Sequence, residues 1–81
     1  MLGSSSVLDT TGEVCPVPLI RFRRELEKLG KDEVLEVIGT HEASRNDIIV
    51  AAKELRMELI KVETDRDGRW HIFVRKAQSD K

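Results

Sequence analysis

The sequence predicts an α/β fold: a two-layer sandwich of order β-α-β-α-β-β, with two helices packed on one face of a four-stranded mixed sheet. Three observations carry this expectation. Two segments, around Leu19–Leu29 and Ile48–Leu55, repeat apolar residues at helical spacing. A short aliphatic run, "EVLEVIG" from Glu33 to Gly39, is bounded by turn residues. Two further segments alternate with a period of two on either side of Asp67-Gly68, a strong hairpin signal. Amphipathic helices need a surface for their apolar faces, and a sheet with one apolar face supplies it.

Taken in order, Val7-Leu8-Asp9 reads as a short strand ending at the turn Thr10-Thr11-Gly12. From Pro16 the pattern turns helical: Leu19, Phe22, Leu26 and Leu29 stack on one face, with Arg21, Arg24, Glu25 and Lys28 on the other. Gly30 is expected to close this helix in the left-handed conformation. Glu33–Gly39 is the second strand. After "THEASRND" a second helix turns Ile48, Ala51, Ala52 and Leu55 inward, with Lys53, Glu54 and Arg56 outward. In "ELIKVETD", Ile60 and Val62 are expected to share a face. In "RWHIFVRK", Trp70, Ile72 and Val74 share one, which puts Phe73 opposite Trp70. The first two strands should be parallel through a right-handed crossover, and the last two antiparallel. No linker divides the chain, so residues 1–81 are read as a single domain, with 1–5 and 77–81 frayed.

Composition narrows the function. Hydrophobic residues at 40% are too many for disorder, and charged residues at 36% too many for a membrane protein. A net charge of -1 gives no global field for nucleic acid or anionic lipid. No apolar run approaches the roughly 20 residues of a membrane span. "MLGSSS" lacks the basic start and apolar core of a signal peptide, so a cytoplasmic protein is expected. Cys15, His41 and His71 are too scattered for a metal site, and no cofactor is called for.

The one cysteine, in "GEVCPVPLIRFRRE", therefore draws attention. Pro16 and Pro18 suit a helix's first turn, which puts Cys15 at or just before the start of the first helix. Free N–H groups and the helix dipole there favour a thiolate, and Arg21, Arg23 and Arg24 lie one to two turns along. A buried structural cysteine is the ordinary alternative. With no second cysteine to resolve a disulfide, whatever this thiol does involves another molecule. His41 reads as an exposed loop residue, and His71 as sheet surface.

The run from Leu8 to Val37, "LDTTGEVCPVPLIRFRRELEKLGKDEVLEV", resembles the TusA/SirA-type sulfur-carrier family, whose pattern is Leu-Asp, a turn glycine, then Cys-Pro-x-Pro opening a helix. The resemblance continues through Asp47-Ile48, "ELIKVE" and "FVRK", covering about residues 7–76. Thr40-His41-Glu42-Ala43 stands where the family commonly has two acids and a proline, and Arg56-Met57 where it often has Gly-His. The resemblance implies a two-layer α/β fold and a cytoplasmic protein that takes sulfane sulfur on Cys15 as a persulfide and passes it on. By position, Gly12, Pro16 and Pro18 shape the cysteine's loop. The expected partners are proteins: a donor such as a cysteine desulfurase or rhodanese-like sulfurtransferase, and an acceptor. Arg21, Arg23 and Arg24 are candidates for docking them, with no direct nucleic-acid or membrane partner, and the carrier is expected to be a monomer. The competing readings are a non-catalytic interaction or regulatory domain with a structural cysteine, and a small thiol enzyme. For the latter, no acid, base or oxyanion set stands at recognisable spacing.

Overall fold

A computed structural model describes residues 6–76; the frayed ends expected at 1–5 and 77–81 lie outside them. The elements are β1 (Ser6–Thr10), α1 (Val17–Lys28), β2 (Val34–Gly39), α2 (Glu42–Glu54), β3 (Glu58–Thr64) and β4 (Trp70–Arg75), the order that the sequence predicts. One four-stranded sheet runs β1-β2-β4-β3. β1 and β2 are parallel, and β4 is antiparallel to both β2 and β3. The central place of β4 follows from its residues. Trp70, Ile72 and Val74 are all buried. β3 presents Glu58, Lys61 and Glu63 to solvent and suits an edge, where charges discourage further pairing.

A single core joins the two layers. α1 contributes Phe22 and Leu26, its C-cap contributes Leu29, α2 contributes Ile48, Ala51 and Ala52, and the sheet contributes Leu8, Leu35, Val37, Trp70, Ile72 and Val74. α1 lies over β1 and β2, and α2 over β3 and β4.

Four local expectations are corrected. Gly30 does not take a left-handed conformation: Leu29 leaves the helix with extended backbone, and Asp32 carries the positive φ of 66°. The absence of a side chain at Gly30 instead lets the Glu33 carboxylate accept from its N–H at 2.6 Å. α2 starts at Glu42, so most of "THEASRND" is helical. Leu55 lies beyond the helix end and is 48% exposed rather than inward. In β3, the register steps from Leu59↔Val74 to Lys61↔Phe73, so Ile60 falls at a bulge. Leu59 and Val62, not Ile60 and Val62, then pack on the core. The expected hairpin forms, with Gly68 at φ 85° and Asp65 N–H donating to Arg69 C=O at 2.8 Å.

The sheet's other face carries polar chemistry of its own. The Lys61 ammonium stands 5.7 Å from the Phe73 ring centre. His71 lies between two carboxylates, its Nδ1 2.9 Å from Glu36 and its Nε2 2.8 Å from Asp65, so it ties β2, β4 and the hairpin loop together. Bonds to Asp65 and then Glu36 raise the His71 pKa above its ordinary 6.5. The bond to His71, with those from the Arg69 and Asp67 amides, holds Asp65 below its ordinary 3.8. A raised histidine contributes stability that is full below its unfolded value and lost as pH climbs through its folded one. A lowered carboxyl contributes stability present above its unfolded value and lost as pH falls through its folded one. Thermal melts should therefore show this contribution in full between about pH 4 and pH 6.5, falling as pH rises further, and His71→Gln should flatten that alkaline slope. An unchanged slope in the variant would mean that His71 is not its source.

Candidate functional site

Because β1 and β2 are parallel, with Thr10 opposite Gly39 at their ends, the loops that follow them leave the same edge of the sheet. The first loop is built from local hydrogen bonds. Asp9 Oδ1 accepts from the Thr11 N–H at 2.9 Å and the Thr11 hydroxyl at 2.6 Å, which holds the Asp9 carboxyl below its ordinary range. Glu13 N–H then closes a turn on Thr10 C=O at 3.0 Å, with Gly12 at φ 84°, a conformation that favours glycine. The Gly12 N–H donates across to Thr40 Oγ1 at 3.1 Å, fastening the first loop to the second. A second turn follows, Val17 N–H to Val14 C=O at 3.0 Å, over a cis Cys15–Pro16 peptide. Pro16 is the N-cap of α1, and Pro18 sits buried in its first turn. Cys15 is thus exposed on the approach to α1.

The second loop brings α2 to the thiol. His41, read from sequence as a plain loop residue, is half-buried and caps this helix, its Nδ1 accepting from the Ser44 N–H at 3.3 Å. The same nitrogen lies 2.8 Å from Ser44 Oγ and 3.4 Å from the Cys15 backbone N–H, which points at it. The His41 carbonyl accepts from Trp70 Nε1 at 3.1 Å, anchoring the cap to the core. One turn along α2, Asp47 Oδ2 accepts from Cys15 Sγ at 3.1 Å.

That contact reverses the expected electrostatics of the thiol. The start of α1 was expected to favour thiolate; instead the bond to Asp47 raises the Cys15 pKa, its negative charge adds to the effect, and the Ser44 hydroxyl opposes it only in part. A carboxylate that accepts from S–H stabilises the thiol over the thiolate. Nor do the three arginines gather at the sulfur. Arg21 turns to the β1–α1 loop, with Nη1 2.5 Å from Glu13 Oε2 and 3.3 Å from the Asp9 carbonyl. Arg23 lines a cavity of about 300 Å³ with Leu26, Glu27, Leu55, Met57 and Lys76, toward the C-terminal end of α1. Lys76 there donates to the Leu26 and Leu29 carbonyls at 3.2 and 3.0 Å. Arg24 is exposed.

Sequence reasoning placed Cys15 just before α1, where it stands, but missed Ser44 and Asp47 as its neighbours. The signal was there: Ser44, Asp47 and Ile48 share one helical face, at the edge where two parallel strands end. Among the described residues, no group of three or more His, Cys, Asp or Glu is placed to hold a metal ion, and no helix is long and apolar enough to cross a membrane.

A family model described as sulfurtransferase TusA matches residues 6–76, nearly all of the chain. The chain belongs to the TusA family. Among its relatives, the sulfur carrier protein TusA of Allochromatium vinosum is 31% identical over 70 residues, covering 86% of this chain and 91% of that one. A proposed sulfur carrier of Archaeoglobus fulgidus is 36% identical over 72 residues, covering 89% of this chain and 97% of its own. The crystal structure of a SirA-like protein from Desulfitobacterium hafniense superposes with a TM-score of 0.80 at 23% identity, over 90% of this chain and 99% of that one. The likeness confirms the α/β fold of two helices on a four-stranded mixed sheet.

Proposed function

We propose that this TusA-family protein is a sulfur carrier that receives sulfane sulfur on Cys15 as a persulfide and relays it to an acceptor protein. The observation that carries the reading is the exposed Sγ of the chain's single cysteine, set where both βα loops converge. In the loading step, the Cys15 thiolate attacks the outer sulfur of a donor's persulfide. The donor's S–S bond breaks, its cysteine leaves as thiolate, and a new S–S bond forms on Sγ with no net oxidation. Delivery repeats the exchange with Cys15 as the leaving group. The step needs no metal or cofactor, and with one cysteine the persulfide cannot collapse into an internal disulfide. Gly12, Pro16 and Pro18 shape the loop that presents the sulfur. Arg23 and Arg24, both exposed, offer cations for docking a partner, whereas Arg21 is engaged by Glu13. A thiol that must stay reduced between transfers suits the cytoplasm.

Intact-mass spectrometry tests this directly. After incubation with a cysteine desulfurase plus cysteine, or a sulfurtransferase plus thiosulfate, the wild type should gain about 32 Da, reversible by reductant, and Cys15→Ser should gain nothing while keeping its fold. Loading retained on Cys15→Ser would place the acceptor elsewhere. No loading of a wild type that still alkylates would favour an interaction domain instead.

A further inference from the structure

We propose that Asp47 is a positioning residue that holds Cys15 in reserve, keeping the proton on Sγ until a cation carried by the sulfur donor engages the Asp47 carboxylate. The inference rests on the carrier reading and adds to it how the thiol is kept idle and what the donor must bring.

The geometry is specific. Cys15 and Asp47 lie 32 positions apart, on different elements, yet their side chains meet at 3.1 Å although both residues are exposed. Both sides of the contact are fixed through His41. The Cys15 backbone is directed onto His41 Nδ1, and the His41 carbonyl is held by the buried Trp70. Asp47 sits on the helix that His41 caps. The groups facing the thiol are therefore Asp47 and Ser44 from α2, with the helix cap His41 at the Cys15 amide, while on its own loop a Glu13 carboxylate oxygen pairs with Arg21. None of the charges that set the thiol's pKa is a cation, and the direction of that shift agrees, toward the protonated form.

The chemistry follows. An exposed thiolate enters the oxidation ladder readily, and this chain has no second cysteine to rescue it by disulfide formation. A neighbouring carboxylate suppresses the thiolate and so protects the idle carrier. The same carboxylate opposes loading, which needs the thiolate. A lysine or arginine beside the donor's sulfur would pair with Asp47, remove the repulsion and let the Sγ proton leave to solvent, after which attack proceeds as above. Once loaded, Sγ has no proton to donate to Asp47, and the negative carboxylate repels an anionic outer sulfur toward the acceptor.

The test uses full-length wild type, Asp47→Asn and Asp47→Ala, with folding checked by circular dichroism; Asp47 is exposed, so both variants should fold. Alkylation of Cys15 by iodoacetamide is followed from pH 6 to 10 by intact mass. Both variants should react at lower pH than wild type, with a rate at pH 7 raised at least about threefold. A wild-type profile in both would overturn the proposal. Loading is then compared from inorganic polysulfide, which carries no cation, and from a cysteine desulfurase. Asp47→Asn should speed the first and slow the second; equal acceleration of both would overturn the donor-cation step. A lowered alkylation profile with no loading of the wild type from either source would sink the carrier reading and the donor-cation step with it, and uphold only Asp47's hold on the thiol.

Discussion

Phe22→Ala should leave the protein at the edge of unfolding at 25 °C. Phe22 is completely buried between the layers, on the stripe of α1 that carries Leu26 and runs on to the buried C-cap Leu29. Removing a buried phenylalanine side chain costs about 3–5 kcal/mol in lost transfer energy and residual cavity. At roughly 0.05–0.15 kcal/mol per residue, a domain of 81 residues has only about 4–12 kcal/mol in total. One substitution thus removes a large share of the stability, and at the low end of that range nearly all of it. Ile20→Ala is the matched control, because Ile20 is 48% exposed on the same helix and its loss should cost less than about 0.5 kcal/mol. Urea denaturation followed by circular dichroism reads both. The functional consequence is indirect: α1 follows the Cys15 loop, so sulfur loading should fall in proportion to the folded fraction, without a change in the pH profile of the remaining folded thiol. A Phe22→Ala midpoint close to that of Ile20→Ala would mean that the interlayer core is wrongly placed.

The same packing explains which parts of the structure could be read from the sequence. α1 was legible because Phe22, Leu26 and Leu29 make one apolar stripe and two prolines mark its start. The first two turns of α2 were not. The residue buried there is Ser44, and the cap is His41, where Ser, Thr, Asp or Asn is the usual signal. A polar run with a polar inward residue reads as loop until a tertiary partner is known. In β3, the aliphatic residues Leu59, Ile60 and Val62 satisfy two registers, and only pairing with β4 selects the one that puts Ile60 at a bulge. The candidate site divides in the same way. Cys15 could be located from its prolines, a local signal, and its exposure agrees with that reading. Its electrostatic setting could not, since the decisive carboxylate lies on the unrecognised part of α2 and reaches the sulfur only because two parallel strands end side by side. Chain-local reasoning weighed the near helix and missed the nearer charge.

Gly39→Ala is expected to damage fold and site together, by crowding. A Cβ at this position would stand 2.5 and 2.6 Å from two carbons of the Trp70 ring and 2.6 Å from Thr10 Oγ1, closer than side-chain carbons pack. Neither neighbour can swing away, because Trp70 is 3% exposed and Thr10 is fully buried. Overpacking of this kind costs about 1–3 kcal/mol, and the double clash puts this case at the upper end or above. The strain has two defined outlets. Moving Thr10 stretches its 2.7 Å hydrogen bond to the Ile38 carbonyl, which joins β1 to β2. Moving Trp70 draws Nε1 from the His41 carbonyl, and His41 both caps α2 and accepts from the Cys15 N–H. A lowered melting temperature should therefore come with two changes that Phe22→Ala does not produce in its folded fraction. Emission from the chain's single tryptophan should shift as its environment loosens. Cys15 should also alkylate faster near neutral pH, because the Asp47 contact depends on the same helix cap. A melting temperature and emission spectrum equal to wild type would show that β2 tolerates a side chain here, and that Trp70 does not transmit core packing to the thiol.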